Sequence, residues 1–216
     1  MKKVVIFDFD GVIINSHCLQ EKSLEVAYRE VVGEGDIPFT KFFELSGDSL
    51  ENIFDKLGFP CEMLKIYREY SSNNMKEIKI NEGIENILQT IKKIGSECAL
   101  CTGKERLRTI EILKHLNLYY YFNPIVCSDE VAYPKPNPES IYKILSTLSI
   151  RKENAIMIGD GCNDIKAAKS AGIGSIAASW GDVHVEDLAK EQPDIICDNM
   201  EQLKKAIHAL HTEGFT

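Results

Sequence analysis

Six short apolar runs, at residues 4–7, 98–101, 125–127, 155–158, 175–178 and 195–197, constrain this chain more than any other feature, and each ends in small or polar residues. Runs this short and almost continuously apolar are the pattern of parallel strands buried on both faces. Between most of them lie residues at helical spacing, such as Ile84, Ile87, Leu88 and Ile91, then Leu107, Ile110, Leu113 and Leu116. Strand and helix in alternation build an open sheet covered on both sides. The expected fold class is therefore α/β, with a Rossmann-like, doubly wound parallel sheet as its core.

One interval breaks the alternation. About 90 residues separate the first two runs, far more than the single crossover helix that a βαβ unit needs. Residues 16–79 show helical patterns at 19–32, 39–57 and 63–70 and no good strand. The spacing predicts a discontinuous core, residues 1–15 and 80–216, with a small α-helical cap domain inserted at 16–79. Its hinges are expected near residues 14–17 and 76–83. Phe39, Phe42 and Phe43 fit one helical face and are read as the inner side of that cap. A length of 216 residues suits one large domain carrying an insertion.

With 44% hydrophobic and 27% charged residues the chain reads as globular, neither disordered nor fibrous. Acidic residues outnumber basic ones 33 to 25, for a net charge of −8. Such a balance repels a phosphate backbone and an anionic membrane, so neither nucleic acid nor membrane is expected as a partner. Asp8 and Asp10 interrupt the first apolar run too early for a signal peptide, and no run approaches the roughly 18 residues of a membrane span. The 7 cysteines are odd in number and lack framework spacing, which predicts reduced thiols and a cytoplasmic location.

The first run leads straight into Asp8-Phe9-Asp10-Gly11. Residues two apart on an extended chain point the same way, so both carboxylates leave the strand end together. On this segment alone a hairpin turning at Asp10-Gly11 stays open. Three other strand ends carry groups of matching kinds: Thr102-Gly103, then Lys135 between prolines, then Asp160 with Asp164 four residues on. Ligands of open α/β sheets bind outside the carboxyl ends of the strands, where all of these can meet. The flanking prolines deny Lys135 a helical backbone, while Asn137 and Pro138 suit the start of the next helix. Paired acids at a strand-to-helix turn suit a hard cation, and the ligand ladder of an EF-hand follows neither Asp8 nor Asp160. Cys98 and Cys101 form a Cys-x-x-Cys, but an odd spacing on a strand places them on opposite faces and no second pair completes a zinc site.

The ordered set Asp8-x-Asp10, Thr102, Lys135 and Gly159-Asp160-x-x-x-Asp164 resembles the haloacid dehalogenase superfamily of phosphohydrolases, over nearly the whole chain. The inserted helices look like that superfamily's helical type of cap. Thr102-Gly103-Lys104, residues 128–141 and Ala178-Ser179-Trp180-Gly181 are most similar to its phosphoglycolate-phosphatase-type members and to phosphatases associated with aminohydroxybenzoate synthesis. Two positions depart from the pattern: many members carry Asn at Gly103 and Asp at Asn15.

The resemblance implies a Mg²⁺-dependent phosphatase of small phosphorylated metabolites. Asp8 would attack phosphorus to form an aspartyl-phosphate, and Asp10 would act as acid and then base. Thr102, Gly103 and Lys135 would hold the phosphoryl group. Asp8, Asp160, Asp164 and the backbone carbonyl of Asp10 would serve the metal. Charge counting agrees: Asp8, Asp10, Asp160 and Asp164 bring −4, Lys135 returns +1, and a proton on Asp10 leaves −2 for a divalent cation to neutralise. The cap turn Ser46-Gly47-Asp48-Ser49 is expected to contact the leaving group. A sugar phosphomutase using the same Asp8, or an inactive regulatory domain on the same fold, are the alternatives; a dehalogenase has no use for Asp10.

Overall fold

Val4–Phe7 forms strand β1, and every one of its side chains is fully buried. A strand buried on both faces belongs in the interior of a sheet. The computed structural model, which describes residues 2–213, places it there. From β1 the chain passes through a short strand β2 (Ile14–Asn15), helices α1 (His17–Val31), α2 (Phe39–Glu44), α3 (Leu50–Leu57) and α4 (Glu62–Asn73), strand β3 (Lys79–Ile80) and helix α5 (Ile84–Lys93). It then alternates through β4 (Glu97–Cys101), α6 (Arg106–His115), β5 (Ile125–Val126), α7 (Glu139–Leu148), β6 (Ala155–Gly159), α8 (Cys162–Ala171), β7 (Gly174–Ala178), α9 (Val185–Lys190), β8 (Ile195–Cys197) and α10 (Met200–Glu213).

The main sheet is parallel in the order β5-β4-β1-β6-β7-β8. Val4 pairs with Glu97 on one side and Ala155 on the other. The chain thus starts in the middle, moves outward through β4 and β5, and crosses back over β1 to reach β6. That reversal opens a crevice at the carboxyl ends of the central strands. Alternate residues feed two apolar layers: Val5 and Phe7 pack with Ile84, Ile87, Leu113 and Ile207, whereas Val4 and Ile6 pack with Ile141, Ile144 and Ala168. Cys98 lies in the first layer and Cys101 in the second, as odd spacing on a strand requires. Burial pushes both thiols up to about 12, so neither ionises in the neutral range.

All six strands expected from the apolar runs are present, with ends that move by no more than one residue. Helices α1 to α4 bury a core of their own, in which Leu24, Ala27, Phe42, Phe54, Met63 and Tyr67 meet and Phe39 packs from the side. Three details differ from the sequence reading. The helical pattern at 39–57 is two helices, parted where Ser49 caps α3 by accepting a hydrogen bond from the Asn52 amide at 3.3 Å. The insertion also ends in a strand: β2 and β3 pair antiparallel, Ile14 with Ile80 and Asn15 with Lys79. Asn81 ties the same junction by donating to the Gly11 and Val12 carbonyls at 2.7 and 3.0 Å. Finally Leu107, which shares the helical period of α6, is 75% exposed instead of buried.

Candidate active site

Asp8 follows β1 directly, and its amide continues the sheet by donating to the Ile158 carbonyl at 2.9 Å. The chain then turns tightly, with the Gly11 amide bonded to the Ile14 carbonyl at 2.8 Å. Gly11 has φ +76°, and a Cβ there would lie 2.0 Å from Oδ2 of Asp160. Only glycine accepts both that backbone and that neighbour. Asp10-Gly11 is therefore a turn, but it delivers the chain into α1 and not into a hairpin of the main sheet.

Asp160 and Asp164 come from the β6–α8 junction, Thr102 from the end of β4, and Lys135 from the segment after β5. Asn137 lies one residue before the helix start expected of it, since Pro138 is the N-cap of α7, but its side chain still accepts from the Glu139 amide at 3.0 Å. Lys135 is only 2% exposed. Its ammonium has three donors and fills all of them: Asp8 Oδ1 at 2.7 Å, Asp164 Oδ1 at 2.6 Å and the Cys101 carbonyl at 2.9 Å. Asp164 Oδ2 accepts from the Gly161 amide at 3.0 Å, which also caps α8. Asp160 Oδ2 accepts from the Asp182 amide at 2.9 Å, while its Oδ1 is buried with no hydrogen-bond partner among the described residues.

Burial pushes the Asp8 carboxyl up to about 7, with Lys135 pulling it down and Asp164 pushing it further up. Burial raises the Asp160 carboxyl well above its ordinary range, reinforced by Asp8 and Asp164. Burial acts against the charge on Lys135, but Asp164 and Asp8 outweigh it and raise its pKa. One buried ammonium, bonded to Asp8 and Asp164 but not to Asp160, thus stands against three buried acids, and Asp8, Asp160 and Asp164 each offer an oxygen within 4.8 Å of the others. An unpartnered carboxylate oxygen inside a set of hard oxygen donors fits a divalent cation of the Mg²⁺ kind.

Asp10 is held from three sides. Its Oδ1 accepts from Ser16 Oγ at 2.5 Å and Gln20 Nε2 at 3.4 Å, and Lys104 Nζ lies 3.3 Å from its Oδ2. The Lys104 amide in turn donates to Thr102 Oγ1 at 3.1 Å. Sequence reasoning missed Ser16, Gln20 and Lys104 as site residues. Ser16 and Gln20 sit one turn apart at the start of α1, a spacing that could have flagged them, and Lys104 is two residues from Thr102.

A family model described as haloacid dehalogenase-like hydrolase matches residues 5–178. The chain belongs to that family. It is 34% identical over 209 residues, covering 94% of this chain and 93% of the relative, to a protein of Caldanaerobacter subterraneus subsp. tengcongensis that carries the provisional name pyrophosphatase PpaX. It is 31% identical over 208 residues to pyrophosphatase PpaX of Bacillus mycoides, covering 92% and 94% of the two chains. A crystal structure from Clostridium acetobutylicum, described as a predicted phosphatase, superposes with a TM-score of 0.86 at 26% identity over 97% of this chain and all of the other. As an enzyme the chain is a hydrolase of the phosphatase type. No helix among its described residues is long and apolar enough to cross a membrane.

In this haloacid dehalogenase-like hydrolase a cavity of about 420 Å³ separates the helical insertion from the sheet, and Asp8, Asp10, Thr102, Ser46, Gly47 and Asp48 all line it. The 46–49 turn faces the core with its backbone: Asn163 Nδ2 donates to the Ser46 carbonyl at 3.3 Å. Its side chains are largely engaged at home. Asp48 binds Lys56 at 2.6 Å and Asn52 at 2.8 Å, and Ser49 caps α3 without lining the cavity. A Cβ on Gly103 would lie 2.1 Å from the Asp48 carbonyl oxygen, so the turn seats on the sheet only because residue 103 has no side chain. The Asn that many members carry could not occupy this position with the turn where it is. Gly103→Ala is expected to hold the turn off, raise KM and lower kcat/KM by up to about a hundredfold, with little change in Tm, because a misplacement of about 1 Å is that costly. Unchanged steady-state kinetics would show that the seated position is not the working one.

Proposed function

We propose that this hydrolase removes the phosphoryl group from a small phosphorylated metabolite through an aspartyl-phosphate on Asp8. The observation that carries the reading is the meeting of Asp160, Asp164 and the Lys135 ammonium around Asp8, which itself lines a partly open cavity together with Asp10 and Thr102. Asp8 attacks phosphorus while Asp10 gives its proton to the leaving oxygen. Asp10 then takes a proton from the water that cleaves the acyl phosphate, which restores both carboxyls. Ser16, Gln20 and Lys104 fix Asp10 in place for both transfers. Thr102 and the Gly103 amide face the phosphoryl oxygens, and Lys135 holds Asp8 in its attacking position.

Asp8, Asp160, Asp164 and the Asp10 carbonyl would hold a Mg²⁺ ion, which when bound neutralises charge on the phosphoryl oxygens. At about a hundred times its Kd the ion should stabilise the protein by about 2.7 kcal/mol. That appears as a rise in Tm, reversed by a chelator and mostly lost in Asp160→Asn. Equal shifts in the variant and the parent protein would remove Asp160 from the cation site.

The activity test is release of phosphate from p-nitrophenyl phosphate, phosphoglycolate, pyrophosphate and a hexose 1-phosphate. Isomerised sugar without free phosphate would instead identify a mutase. The 7 free thiols, with Cys98 and Cys101 deeply buried, support a reducing, cytoplasmic setting.

A further inference from the structure

The cavity has more room than a phosphoryl group needs. Its volume of about 420 Å³ lies in the range of roughly 300–1,000 Å³ typical of sites for whole small molecules. Away from the acids its walls include Phe42, Leu50, Ile53 and the exposed Leu107, which accounts for an apolar residue left uncovered on α6. Three cationic side chains also line it: Arg68, Lys104 and Arg108. Arg68 is committed to Glu51 and Glu105, and Lys104 faces Asp10.

Arg108 is different. Its Nη2 donates to the Ser71 carbonyl and, at 3.1 Å, to Ser71 Oγ, which braces the guanidinium against α4. Its Nη1 is buried and has no hydrogen-bond partner among the described residues. Nη1 makes a long ion pair with Glu111, whose Oε2 is 3.8 Å away, outside hydrogen-bond reach, and whose side chain is half exposed. A buried charged donor without an acceptor is costly, and it persists where a ligand supplies the acceptor. The guanidinium also carries its donors in a planar fork suited to anionic oxygens.

We propose that Arg108 reads an anionic group on the leaving group, so that the favoured substrate is a phosphate ester whose other half joins an apolar body to a negatively charged oxygen group. This rests on the phosphatase reading above and assigns the leaving-group contact to α6 and α4, where sequence reasoning had looked to the 46–49 turn. Arg108 is a specificity residue that touches the part of the substrate that departs.

The test uses a matched pair, 4-carboxyphenyl phosphate and 4-carbamoylphenyl phosphate, alike in shape and differing by one charge. The ratio of their kcat/KM values is compared between the parent protein and its variants, which cancels their different intrinsic reactivity. Arg108→Gln should lower the ratio at least tenfold, chiefly through KM for the carboxylate, and Arg108→Lys should restore part of it. A purely structural role, through Ser71, would lower both substrates together and leave the ratio intact, which overturns the proposal. Pyrophosphate serves as a third arm: if it loses more than the carboxylate in Arg108→Gln, the group read is a phosphate. Binding of the product phenols, 4-hydroxybenzoate against 4-hydroxybenzamide, is measured by titration in parallel. Charge-selective binding that needs Arg108, without turnover of any ester, would end the phosphatase reading and keep the anion site. Turnover of both esters with no charge preference lost in Arg108→Gln would do the reverse.

Discussion

Asp8→Asn is expected to reduce phosphate release by about 10⁴-fold or more while leaving the cation-free protein at least as stable as its parent. The loss follows from removing the only atom set that can form the acyl phosphate; deleting a nucleophile from a constellation of this kind typically costs that much. The retained stability follows from the surroundings. Burial pushes the Asp8 carboxyl up to about 7, so its charge is a strain on the cation-free fold and not a support. Asn keeps the shape and keeps an oxygen to accept the Lys135 ammonium, which now lies 2.7 Å from Asp8 Oδ1. It also removes one of the negative charges that crowd Asp164 and Asp160. Phosphate release and thermal unfolding in the presence of a chelator read the two effects separately. Appreciable turnover by the Asn variant would contradict covalent catalysis at this residue, and a variant that unfolds early would show that the carboxylate stabilises the fold.

Which parts of this were legible beforehand has a physical explanation. The strands could be read because each is largely apolar on both faces, a local property of three or four letters. The convergence of Asp8, Thr102 and Asp160 followed from topology, since they stand at the carboxyl ends of β1, β4 and β6, which are neighbours in the sheet; Lys135 joins them from the segment after β5, the strand next to β4. The junction strands β2 and β3 have two residues each, too few for any period to show. Ser16 and Gln20 gave only the weak signal of their one-turn spacing, and Lys104 only its closeness to Thr102; that all three turn toward Asp10 is settled by packing. The same holds for Arg108, whose unfilled Nη1 is a property of the packed side chain. Gly103 looked like a mild departure from the family pattern, yet it decides how closely the 46–49 turn can seat.

Lys135 shows the limit most clearly and leads to the second large effect. A lysine between prolines is ordinarily a solvated surface residue; here it is 2% exposed because its acceptors arrive from three separate elements, the ends of β1 and β4 and the first turn of α8. Lys135→Met removes the cation and leaves the acids. Breaking a buried pair from one side costs about 3–5 kcal/mol, since the remaining charges have neither water nor partner. The expected result is a fall of that size in unfolding free energy, read from denaturant midpoints, together with loss of phosphate release. The protein's cheapest response is to protonate Asp8 or Asp160, both already pushed up by burial and by the Asp164 charge, and a protonated Asp8 no longer attacks phosphorus. Removing a neighbouring charge as well should separate the two roles. In Lys135→Met with Asp164→Asn, stability should partly return because one unpaired acid is gone, while activity should stay lost because nothing holds Asp8. If the double variant were no more stable than the single one, charge balance would not be what Lys135 contributes, and its three hydrogen bonds alone would have to explain the loss.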